Sequence, residues 1–88
     1  MPYIDKETRK TFEKQIDEIL KEISKHPEEK RDGILNYIFT KLLLGSFPKI
    51  NYQVYERMIG VLECCKLEMY RRKVAEYENE KAKQHGDV

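Results

Sequence analysis

The sequence predicts an all-α protein: a three-helix bundle with a central buried second helix and a long, overhanging third helix. Three observations predict it. Apolar residues recur at the three-and-four spacing of helical faces along most of the chain. The interior prolines, Pro27 and Pro48, fall between such stretches and divide the chain into three. No stretch alternates apolar and polar residues as a half-buried strand does. At 88 residues, a single helical domain spanning 1–88 is the expectation.

The first helix is expected from about residue 5 to residue 25. Asp5 suits the N-cap, where its carboxylate can accept from the free amides of the first turn. Phe12, Ile16, Ile19, Leu20 and Ile23 then follow one helical face, a stripe about 100° wide. The remaining residues are charged or polar, so this helix should pack on one side and face water on the other.

The second helix is expected over about 27–44. Pro27 fits the first helical position, where a missing amide costs nothing, and Glu28 and Glu29 suit the positive end of the helix dipole. Gly45 and Pro48 provide the stop. Ile34, Leu35, Ile38, Phe39, Leu42 and Leu43 cover about half its circumference, and Gly33, Tyr37, Thr40 and Leu44 form a second stripe. A helix apolar over most of its surface belongs in an interior, which places it at the centre.

The third helix is expected over about 51–83, with Asn51 as its cap and a frayed tail over 84–88. Its main face is Tyr55, Met58, Ile59, Leu62, Cys65 and Met69, with Leu67, Tyr70, Val74 and Tyr77 as an offset second patch. A helix of that length outruns the second by roughly 20 Å, so it must overhang its partners or kink. Helix-interior Gly33 and Gly60 each cost about 1 kcal/mol relative to Ala, and a close helix crossing would account for both.

Composition narrows the functional classes. Seventeen basic and sixteen acidic residues leave a net charge of +1, far from the basic excess that drives nucleic-acid binding. The longest strongly apolar run is Leu42-Leu43-Leu44, against the roughly 20 residues of a membrane span. With no apolar signal segment at the start and only two cysteines, the adjacent Cys64 and Cys65, a cytoplasmic location is expected. Neighbouring cysteines on a helix cannot reach ordinary disulfide geometry, so both read as small buried hydrophobes. No phosphate loop, His-Glu-x-x-His, Gly-x-Ser-x-Gly or Cys-x-x-Cys is present, and His26 and His85 have no partner in sequence.

Several phrases resemble a family of short uncharacterised helical proteins found in phages, bacteria and archaea. They are the opening Met1-Pro2-Tyr3-Ile4, then Asp32-Gly33-Ile34-Leu35-Asn36-Tyr37 with Thr40, Leu42 and Leu43. The third helix adds Gly60-Val61-Leu62-Glu63-Cys64 and Lys66-Leu67-Glu68 before Tyr70-Arg71-Arg72. The chain departs from the family pattern at Glu76 and Asn79, and at His85 before the terminal Gly-Asp-Val. The resemblance implies helical character, and no activity, cofactor or catalytic residue comes with it.

Two groups of residues stand out. Asn36 and Thr40 stack at i, i+4 inside an apolar segment, and Lys66 sits about 40° from Leu62, the middle of the main face. The plain reading is a register-fixing hydrogen bond and a snorkelling lysine paired with Glu63. The sharper one is a buried polar cluster of Asn36, Thr40, Glu63 and Lys66. Leu67, Tyr70, Val74 and Tyr77 form a candidate interface. Together with the two-faced second helix, they favour a protein-interaction or structural module working as a homodimer. One alternative is a small metal-dependent nucleotide-binding or pyrophosphohydrolase-like protein using Glu56, Glu63 and Glu68. The other is a weak nucleic-acid binder using Arg71, Arg72 and Lys73. Glu68 and Arg72 read as a plain i, i+4 ion pair.

Overall fold

Asp5 caps the first helix. Its backbone is extended and its carboxylate accepts from the Thr8 amide at 2.7 Å, which starts helix α1, Lys6–Ser24. The computed structural model describes residues 4–87. The matched opening Met1-Pro2-Tyr3 and the terminal Val88 lie outside them. Residues 4–87 hold three helical stretches and no strand, so the all-α expectation holds.

Contacts divide the chain into two units, Met1–Ile50 and Asn51–Val88. The first contains α1 and α2, Glu28–Gly45. Between them Lys25 and His26 donate back to the Glu22 and Ile23 carbonyls, closing α1 with tightened turns. Pro27 is the N-cap of α2 rather than its first helical residue. Arg31, one turn into α2, reaches back with Nε and Nη2 to the His26 carbonyl at 3.3 and 3.2 Å. That fork ties the start of α2 to the end of α1. The Ser46 amide closes α2 on the Leu43 carbonyl at 3.3 Å.

The second unit is one continuous helical stretch of 34 residues, about 51 Å long at 1.5 Å per residue. It begins at Asn51, whose Oδ1 accepts from the Val54 amide at 3.0 Å. It runs as α3, Tyr52–Met69, then a π-helical turn, Tyr70–Val74, then α4, Ala75–His85. The Ala75 amide reaches the Tyr70 carbonyl, five residues back. The stretch passes the expected end at residue 83 and stops at Gly86, whose φ of 89° only a glycine adopts readily.

Burial is where sequence and structure part. Met58, 5% exposed, is the single buried residue among those described. The stripe of α1 is exposed at Phe12, Ile16, Ile19 and Leu20, and only Ile23 is half-buried. Helix α2, expected as the buried centre, has no buried residue. Ile34, Ile38 and Leu43 are half-buried, while Leu35, Phe39 and Leu42 are exposed. Cys64 and Cys65, expected inside, are both exposed free thiols. A Cβ built on Gly33 or Gly60 meets no heavy atom within 4 Å outside the neighbouring backbone of its own helix.

Candidate functional site

The α-helix turns about 100° per residue. Measured from Leu62, the residues Tyr55, Met58, Ile59, Cys65 and Met69 lie within about 60° on either side. On an uninterrupted α-helix Val74 and Tyr77 would fall about 120° and 60° off this line, which is why they read as an offset patch. A π turn holds one extra residue, and everything beyond it is set back by about 100°. Tyr77 therefore comes to about 40° from the Leu62 line, and Val74, the last residue of the turn, is carried toward that line. The same shift moves Glu76 and Glu80 off a line they would otherwise have occupied within about 40°, and brings Lys81 onto it.

The result is one apolar stripe along the helix. Met58 on it is buried, while Ile59 is 65%, Met69 58%, Val74 40% and Tyr77 64% exposed. The four candidate interface residues thus divide. Val74 and Tyr77 join the main face, Tyr70 stands at its edge, and Leu67 points to another side of the helix.

The turn is braced by side chains of its own unit. The Tyr70 hydroxyl donates to Glu78 Oε1 at 2.6 Å across eight residues. Without the extra residue those two positions would stand about 80° apart; with it they are about 20° apart. The bond to the Glu78 carboxylate, and then its negative charge, push the Tyr70 phenol above its ordinary range. On the other side of the turn, Glu68 accepts from Arg71 Nη2 at 2.9 and 3.0 Å and also from Arg72 Nε. One carboxylate therefore holds two of the three basic residues of the turn, where sequence pattern had paired it with Arg72 alone. Beyond the turn, the Lys81 ammonium stands 5.5 Å from the Tyr77 ring centroid, a cation–π contact at the stripe's end.

The candidate polar cluster is distributed over the two units. In the first, Thr40 Oγ1 donates to the backbone carbonyl of Asn36 at 2.8 Å, a bond a helix makes within its own turn. In the second, Lys66 Nζ pairs with Glu63 Oε1 at 3.1 Å, with side chains 68% and 53% exposed. All four residues are exposed. The Lys66 charge is thus paired at i−3 on the helix surface.

The other candidates are as follows. Glu63 and Glu68 are committed to the ion pairs above, and no group of three His, Cys, Asp or Glu among the described residues could hold a metal ion. His26 contacts Glu22 at 3.5 Å. An open depression of about 510 Å³ at the start of α2 is lined by Glu28, Glu29, Arg31 and Asp32, a charged surface rather than an apolar pocket. No helix among the described residues is long and apolar enough to cross a membrane. Sequence reasoning missed the π turn, the Tyr70–Glu78 brace and the Arg31–His26 tie. The displaced second patch was the one signal that could have revealed the turn.

No curated protein and no solved structure matches the chain. The domain of unknown function DUF6899 matches residues 1–88, so the chain belongs to that uncharacterised family.

Proposed function

We propose that the chain is a helical protein-interaction or structural module that works as a homodimer in the cytoplasm. One observation carries the reading: Met58 is buried, while 21 large hydrophobic side chains are 37–77% exposed. Ordering a backbone costs about 1–2 kcal/mol per residue, and a single buried methionine does not offset that. The accessible surface tells the same story. The chain exposes 8282 Å², whereas a folded monomer of its mass exposes about 5,500 Å². The surplus of roughly 2,800 Å² is larger than the roughly 1,000–2,500 Å² that one partner buries in a typical obligate interface. A net charge of +1 sets up little repulsion between two copies. The free thiols of Cys64 and Cys65 suit a reducing compartment.

Light scattering over a concentration series tests the proposal, with Tyr70→Ser/Tyr77→Ser beside the parent chain. A dimer that the double substitution dissociates is expected. A parent chain that stays monomeric while fully helical would overturn it.

A further inference from the structure

We infer that the π turn at Tyr70–Val74 is a two-phase joint, held by the Tyr70–Glu78 hydrogen bond, that sets which side of α4 lies in line with the Leu62 face of α3.

The two phases present different chemistry. In the observed one, Tyr77 lies about 40° from the Leu62 line and Lys81 lies on it. Their side chains form a cation–π pair, with the ammonium 5.5 Å from the ring centroid. Closing the turn to α-helical spacing advances α4 by about 100°. Glu76 and Glu80 then come within about 40° of the line, while Tyr77 and Lys81 move about 60° and 100° away. The same joint therefore presents either an aromatic ring with an ammonium, or two carboxylates.

The brace decides between them because little else distinguishes the phases. Hydrogen bonds inside α4 are the same in both, and only amides at the join change partners. The Ala75 amide reaches the Tyr70 carbonyl across the π turn, and in α-helical spacing it reaches the Arg71 carbonyl. No residue of the turn or of α4 is buried, so packing within the unit does not fix the phase. A π turn is rare, and an added interaction must favour this one. Glu68 accepts from Arg71 Nη2 and Arg72 Nε, but these pairs are three and four residues apart, spacings that a regular α-helix also brings together. Tyr70 and Glu78 differ. Their 2.6 Å bond spans eight residues, which stand about 20° apart with the extra residue and about 80° apart without it. Both side chains are exposed, so a contact from outside that takes the Tyr70 hydroxyl or the Glu78 carboxylate releases the turn and rotates α4. The device is a small case of two packings of one sequence biased by a local contact.

Nuclear magnetic resonance on the isotope-labelled full chain tests the joint through scalar couplings across hydrogen bonds, with helix content followed by circular dichroism. In the parent chain the Ala75 amide is expected to couple to the carbonyl of residue 70. Tyr70→Phe removes the donor and Glu78→Ala the acceptor. Each should shift the ratio of the phases about fivefold toward α-helical spacing, the weight of one hydrogen bond. The shift is read as a weakened coupling to residue 70 and a new one to the Arg71 carbonyl. Glu80→Ala, on the same helix but outside the brace, should keep the parent pattern. Should Tyr70→Phe lose its helix, Glu78→Ala carries the test. A folded brace variant that keeps the parent pattern, or a Glu80→Ala chain that shifts as far, overturns the inference. So does a parent chain whose Ala75 amide couples to Arg71 alone.

Discussion

Replacing Gly33 and Gly60 with alanine separates a packing role from a helix that merely tolerates glycine. Both residues lie inside helices, both are exposed, and a Cβ at either meets nothing within 4 Å. Alanine loses less backbone entropy on entering a helix, so each substitution should stabilise by about 0.8–1 kcal/mol. The sites belong to different units and share no partner, so the effects should add to roughly 2 kcal/mol. For a domain of this size, 1 kcal/mol moves Tm by about 4–8 °C, and the double variant should melt roughly 8–16 °C higher. Thermal unfolding followed by circular dichroism gives the answer, at one fixed protein concentration, because the melting of an assembly depends on it. A drop in Tm for either variant would refute the reasoning. It would mean that the added methyl meets an atom a single chain does not supply, as the sequence pattern suggests for a close helix crossing.

Two further predictions concern pH. The Asp5 carboxylate is held below its ordinary value, first by the hydrogen bond from the Thr8 amide and then by the Thr8 side chain. Its contribution is therefore present above the ordinary carboxylate value and lost as pH falls through the lowered one. Asp5→Asn, which retains a capping oxygen, should flatten that acid limb in a helix-content titration, and an unchanged limb would remove Asp5 as its source. Tyr70 behaves oppositely, because its neutral hydroxyl donates to Glu78. Its contribution is present below the ordinary phenol value of about 10 and lost as pH rises through the raised one. Tyr70→Phe should delete a phenolate transition above the ordinary phenol value in an ultraviolet titration; loss of a transition at the ordinary value instead would show that the Glu78 bond does not form in solution.

Much of the fold was legible because helix boundaries are local events. Asp5 and Asn51 cap where their side chains can reach the amide three residues on, and Gly45 marks the end of α2. The Arg31 fork onto the His26 carbonyl was not legible, since a reach of five residues across a proline-marked junction has no sequence motif. Burial was not legible either. Periodicity says which face of α1 or α2 is apolar, but not whether the same chain covers it, so Phe12, Leu35 and Leu42 read as core yet stand exposed. The third stretch lies in between. A change of phase between Met69 and Val74 was visible in sequence, and an extra helical residue is one of few ways a continuous helix can keep both halves in line. What the pattern could not supply was the choice between a second patch and a π turn. That choice depends on braces such as Tyr70–Glu78, which become neighbours only once the turn has formed.

Sedimentation velocity on the full chain, over a wide concentration range at neutral pH, measures most directly whether the exposed apolar faces meet those of a second copy. A species of twice the 10.6 kDa chain mass, dissociating only with loss of helix, is the predicted result. A well-folded 10.6 kDa monomer at every concentration would contradict it.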